Sequence, residues 1–175
     1  MADRLRPSRT AGLTAVSVSR RDLLAVRLTD RPAPIRPPWT READMARCTG
    51  CAACAEACPA GIVRMEAGLP QIAFAGTECS FCGACAEACP APVFDIARPA
   101  FAHLAAVTEG CLAQDGVACM ACADICPEAA IRLRPRIGGP ALPELSPSLC
   151  TGCGACLSVC PAEALTIHLR EPAHA

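Results

Sequence analysis

Sixteen cysteines carry the chemistry that recurs along this chain, and they recur in four quartets. Cys48, Cys51, Cys54 and Cys58 precede Pro59; Cys79, Cys82, Cys85 and Cys89 precede Pro90; Cys150, Cys153, Cys156 and Cys160 precede Pro161. All three read C-x2-C-x2-C-x3-C-P. The other four, Cys111, Cys119, Cys122 and Cys126 before Pro127, keep the last intervals and stretch the first to seven residues. Three thiolates at such short intervals let a tight loop wrap one face of an iron–sulfur cubane, each meeting a different iron. The fourth, four residues after the third on a helical turn, points away and serves the neighbouring cluster. The proline ends that turn. Small residues between the ligands (Ala52, Ala53, Gly83, Ala84, Gly154, Ala155) let backbone N–H groups approach the sulfurs. Zinc sites separate two CxxC pairs by a longer finger, which this compact run does not do. A disulfide scaffold needs an oxidising compartment. No regular quartet lacks its second cysteine, so complete four-iron clusters are expected.

Between the quartets the chain supplies short strands. Ile62–Glu66 alternates, residues 67–70 turn, and Gln71–Phe74 returns. Ile131–Arg134 and the turn at Gly138-Gly139-Pro140 look similar, with Pro135 restricting that strand to an edge. Ala164–Leu169 reads as a closing strand. Segment 90–110 shows no hairpin and is punctuated by Pro90, Pro92 and Pro99, which puts a boundary near residue 100. The expected fold is α+β: two tandem bacterial-type 2[4Fe-4S] ferredoxin-like modules, 47–100 and 101–175, with short hairpins and helical turns, after a largely irregular arm over 1–46. Sequential pairing of the quartets gives four ligand sets. Cluster one takes Cys48, Cys51, Cys54 and Cys89, and cluster two takes Cys79, Cys82, Cys85 and Cys58. Cluster three takes Cys111, Cys119, Cys122 and Cys160, and cluster four takes Cys150, Cys153, Cys156 and Cys126. Nested pairing, first quartet with fourth and second with third, is the alternative; the hairpins favour the sequential arrangement.

The composition says why such a chain needs its metal. Of 175 residues, 53% are hydrophobic, but 36 Ala and 16 Cys make up more than half of those, with one Trp, four Phe and no Tyr. So few large side chains bury too little apolar area to offset chain entropy easily. Charge is divided. Residues 1–47 hold ten Arg against five acids, and residues 48–175 hold six Arg against twelve; there is no Lys. A basic arm thus precedes an acidic body. Its interleaved acids and prolines argue against a nucleic-acid role. No apolar run reaches the roughly 20 residues that span a bilayer. Ser19-Arg20-Arg21-Asp22-Leu23-Leu24 has the start of a twin-arginine export signal, but Arg27 breaks the apolar stretch that should follow, so no export is expected. His103, His168 and His174 are scattered and suit structural or solvated places. No Gly-rich nucleotide fingerprint and no Ser/His/Asp arrangement is evident, so no substrate chemistry of its own is expected.

With the stretched third quartet, Ser19-Arg20-Arg21, Ile35-Arg36-Pro37-Pro38-Trp39, the run Glu78–Cys85 and the run Leu149–Cys156, the chain resembles the NapF family of ferredoxin-type proteins over nearly its whole length. The quartets alone say only ferredoxin-like; the stretched motif and the arm narrow it. The resemblance implies four [4Fe-4S] clusters in a cytoplasmic protein that binds the precursor of the periplasmic nitrate reductase catalytic subunit. Its implied role is to assist that subunit's maturation before export, with electrons or cluster help. An electron-transfer subunit relaying electrons to a reductase, or a general polyferredoxin, is the alternative. Ala/Arg enrichment, the absence of Lys and a longer stretch before Ser19 depart from the family pattern without touching a ligand. Trp39 has two readings: a hydrophobic cap on the first module, or an anchor for a partner.

Overall fold

The computed structural model describes residues 33–170. Four single-turn helices punctuate it: α1 (Ala53–Glu56), α2 (Ala84–Glu87), α3 (Ala121–Asp124) and α4 (Ala155–Ser158). Each carries the third cysteine of a quartet. Four residues cannot hold a helix in water unaided, so these turns depend on what they pack against. After three of the four quartets the Cys-Pro step closes a tight turn. The N–H groups of Gly61, Ala129 and Glu163 donate to the carbonyls of Cys58, Cys126 and Cys160 at 3.0, 3.1 and 3.2 Å. The donating residue is left-handed each time, with φ of 60°, 48° and 49°. A strand begins within two residues: β1 (Val63–Glu66), β4 (Ile131–Arg136) and β6 (Leu165–Leu169). After Cys89 the equivalent position is Pro92, whose ring fixes φ near −65° and forbids the turn. No strand follows there until β3 (His103–Val107).

The strands form three antiparallel pairs. β1 pairs β2 (Leu69–Ile72) from Val63 opposite Ile72 to Glu66 opposite Leu69. The loop is therefore only Ala67-Gly68, both at positive φ (50° and 78°), the geometry that matches strand twist. β4 pairs β5 (Gly139–Leu145), and the register slips between Arg134 and Arg136, where Pro135 has no N–H to give. β3 pairs β6, His103 opposite Leu169 and Val107 opposite Leu165. β3 was not expected. Its core is two alanines, and its partner is far along the chain, so neither propensity nor local alternation marks it.

Two apolar clusters lie under these pairs. One gathers Ile62, Val63, Ile72, Cys54, Cys85 and Phe101, with Ile35, Trp39, Phe74 and Phe81 against it. The other gathers Ala105, Ile131, Cys156 and Leu165, with Val107, Leu145 and Leu157. The described part of the arm is clipped onto the first. Ile72 N–H donates to the Ile35 carbonyl (2.7 Å), Trp39 N–H to Ala100 (2.7 Å), and Asp95 N–H to Trp39 (3.0 Å). A 3-10 turn follows at Glu42–Arg47. In it, buried Asp44 accepts from Arg41 N–H and from Arg98 Nη1, both at 2.8 Å, and pairs with Arg47. The carboxylate is held below its usual range by the Arg41 N–H first, then by Arg98 and Arg47. Ser19, Arg20, Arg21 and His174 lie outside the described residues. Among the described residues no helix is long and apolar enough to cross a membrane.

Candidate metal centres

All sixteen cysteines are free of disulfides. Within the regular quartets the third cysteine turns inward: Cys54, Cys85 and Cys156 are buried, while the second ligands Cys51 and Cys82 are exposed. The backbone explains the loop. Cys51 sits between Gly50 (φ 70°) and Ala52 (64°), Cys82 between Phe81 (55°) and Gly83 (81°), Cys153 between Gly152 (76°) and Gly154 (88°). Left-handed residues on both sides of one position curl successive N–H groups into a concavity that suits an anionic group, iron–sulfur centres included. Ala52, Gly83 and Gly154 are among the small residues that mark the loop in the sequence; a left-handed Phe81 carries no such mark.

The stretched quartet is built differently. The residue before α3, Met120, has φ −133° and is half exposed, so the alternation is missing at Cys119. The seven-residue interval is pinned from outside instead. Arg136 Nη2 donates to the Ala113 carbonyl at 2.8 Å and its Nε to Pro140 at 3.0 Å, and Ala113 is fully buried. Arg136 carried no motif and was not singled out from the sequence. Arg170 acts similarly at the fourth quartet, donating to the carbonyls of Pro147 (3.0 Å) and Cys150. His103 is buried and its Nε2 lies 2.8 Å from the Gly152 carbonyl. A carbonyl only accepts, so Nε2 carries the proton. Burial pushes the imidazole below its ordinary range, keeping it neutral. His168 is exposed and bonds to Thr166. Trp39 is half buried, edge-on to Phe81 at 6.4 Å, as a cap on the first module would be.

The structure sorts the cysteines into sets. Cys58 lines one cavity together with Cys79, Cys82 and Cys85. Cys126 lines a second with Cys150, Cys153 and Cys156. Cys160 lines a third with Cys111, Cys119 and Cys122. The remaining four are Cys48, Cys51, Cys54 and Cys89; burial first, then the neighbouring Cys89, Cys48 and Cys51, raises the Cys54 thiol. In every set the fourth cysteine comes from the other quartet of its half.

The donor chemistry fits a multi-iron cluster. Among the described residues, no three Cys, His, Asp or Glu side chains converge on a point that one metal ion could occupy. In three sets the four thiols instead line a shared cavity. Burial, followed by neighbouring thiols, Cys122 of the adjacent set among those acting on Cys156, pushes Cys85 and Cys156 up to about 12. Burial likewise raises Cys54, Cys79 and Cys122. Exposed Cys51 shifts downward instead, because the Ala53 N–H and the Thr49 hydroxyl donate to its sulfur. The buried thiols that resist ionising, Cys54, Cys79, Cys85, Cys122 and Cys156, would be stabilised as thiolates by a polycationic core that replaces their protons. Backbone N–H groups also reach remote ligands, Ala130 to Cys126 Sγ (3.3 Å) and Ala164 to Cys160 Sγ (3.2 Å), stabilising negative charge on sulfur.

Known proteins carry the same signature. Residues 47–94 and 117–164 each match a family described as a 4Fe-4S dicluster domain. The second match begins after Cys111, at the stretched interval. Ferredoxin-type protein NapF of Haemophilus influenzae is 40% identical over 138 residues, covering 77% of this chain and 78% of that protein. Ferredoxin-type protein NapF of Escherichia coli K12 is 39% identical over 155 residues, covering 86% and 94%.

Proposed function

The chain belongs to the NapF family of ferredoxin-type iron–sulfur proteins, and on that premise we propose that it is a four-cluster electron carrier serving a partner's maturation. The carrying observation is the sorting of cysteines: three sets of four line separate cavities, which leaves Cys48, Cys51, Cys54 and Cys89 as the remaining four. Under this reading Cys48, Cys51, Cys54 and Cys89 hold one cluster, and Cys58, Cys79, Cys82 and Cys85 the next. Cys111, Cys119, Cys122 and Cys160 hold the third, and Cys126, Cys150, Cys153 and Cys156 the fourth. A bound [4Fe-4S] cluster supplies a one-electron couple. The protein's own part is to fix the sulfurs, to curl N–H groups around them, and to keep Cys54, Cys85 and Cys156 away from water. Those N–H groups favour the more negative, reduced state. No catalytic residue is assigned; electrons enter and leave by contact with partners.

The partner we propose is the precursor of the periplasmic nitrate reductase catalytic subunit, met in the cytoplasm before export. Family membership supports this reading. Tagged protein isolated without oxygen from nitrate-grown cells tests it. Capture of the signal-bearing precursor is the expected result. Capture of only the mature reductase or of membrane subunits overturns the maturation role in favour of a respiratory relay.

A further inference from the structure

The two halves meet at one point of their cysteine loops. The Cys79 N–H donates to the Cys153 carbonyl at 2.9 Å, joining the first ligand position of the second quartet to the second position of the fourth. Aromatic side chains seat this contact. Phe101, buried at the boundary between the halves, lies tilted against the His103 ring at 4.5 Å, and Phe74 stands edge-on to both at 6.3 and 6.2 Å. The fourth loop fits this wall only because it has glycines there. A Cβ on Gly154 would overlap the Phe74 ring, and one on Gly152 would lie 2.8 Å from the His103 ring. The Nε2–H of His103 then holds the Gly152 carbonyl, one residue from Cys153. Among the described residues no backbone hydrogen bond of this kind joins the first or third quartet across the halves.

We propose that Phe74 and His103 are positioning residues that seat the fourth-quartet loop on the second, making the Cys79–Cys153 contact the crossing for electrons between the two halves. The order of relay is then one, two, four, three, with the first and third ligand sets as the ends that face partners. The proposal rests on the four-cluster reading above. With clusters bound, the second ligand set (Cys58, Cys79, Cys82 and Cys85) and the fourth (Cys126, Cys150, Cys153 and Cys156) would hold the donor and acceptor of a single electron. No bond is made or broken, no proton moves, and a one-electron reductant such as dithionite supplies the electron.

The test uses the full-length, cluster-loaded protein with iron counted on every sample. Two paired-ligand variants isolate the junction. Cys48→Ala/Cys51→Ala with Cys111→Ala/Cys119→Ala, each pair removing half of a ligand set so that no three-iron cluster is kept, leaves the second and fourth sets intact; Cys79→Ala/Cys82→Ala with Cys150→Ala/Cys153→Ala leaves the first and third. After dithionite reduction the first variant is expected to show an electron paramagnetic resonance spectrum split by interaction between its two clusters, and the second an unsplit one. The reverse assignment, or a split spectrum from neither, overturns the proposal. With all ligands in place, His103→Leu and Phe74→Ala should lose that part of the splitting at unchanged iron content. His103→Gln, which can remake the bond to Gly152, should recover it. Splitting unchanged in both loss variants at full iron also overturns the positioning role. A wild-type iron count well short of about sixteen per chain contradicts the four-cluster reading instead, and so separates the two failures.

Discussion

The two halves use the same cysteine grammar on different cores. The first half packs Phe101, Phe74, Phe81 and Trp39 with Ile62, Val63 and Ile72, and straps on its arm through buried Asp44. The second half has no Phe, Trp or Tyr after residue 101. Its core is Ala105, Ile131, Cys156 and Leu165, and arginines hold its loops: Arg136 clasps the stretched interval and Arg170 the fourth loop. Apolar burial scales with area, so the second half gains less from its side chains and leans harder on what its cysteines bind. The same ligand pattern thus rests on apolar packing in one half and on metal and backbone clasps in the other.

The largest expected effect follows from removing the metal. Anaerobic chelation of iron should abolish the cooperative thermal transition, and amide exchange should open residues 103–170 before the β1–β2 region. Equal protection of both halves in the metal-free protein would break the comparison. Next come core truncations. Phe101→Ala, at 4% exposure, should destabilise by about 3–5 kcal/mol. Leu165→Ala, among smaller neighbours that can close around the gap, should fall near the bottom of the usual range, about 2 kcal/mol. Denaturant unfolding of the loaded protein measures both, and a larger loss at Leu165 would reverse the ranking.

Arg136→Met should cost about 1 kcal/mol by losing its bonds to Ala113 and Pro140. Its sharper signature is local: slower or incomplete loading of the cluster at Cys111, Cys119, Cys122 and Cys160, seen as missing iron, with the other three sites full. The smallest effect is acid-side. The Asp44 carboxyl titrates lower in the folded chain than its unfolded value, so its stabilisation is present above about pH 4 and is lost as pH falls through the folded value. Asp44→Asn should flatten that part of the stability profile; an unchanged slope below pH 4 would deny Asp44 its part in the strap.

Much of this was legible in the residues because iron–sulfur ligation imposes spacing. The quartets, the Cys-Pro steps and the β1–β2 and β4–β5 hairpins all follow from local rules on thiols, prolines and turns. The missing strand after the second quartet was legible too, and Pro92 gives its reason. What escaped is long-range. β3 pairs with a strand at the other end of the second half, and no pattern in His-Leu-Ala-Ala-Val announces that. His103 was expected in a structural place and is found in one, but its bond to Gly152 depends on a fold that brings residues 49 positions apart together. Arg136 and Arg170 act through backbone carbonyls, which every residue has, so no sequence motif points to their targets.

Counting iron and acid-labile sulfide on protein purified without oxygen tests the central claim most directly. About sixteen of each per chain, with no zinc, is the predicted result. About half that number, or zinc in place of sulfide, would contradict four ligand sets and the account built on them.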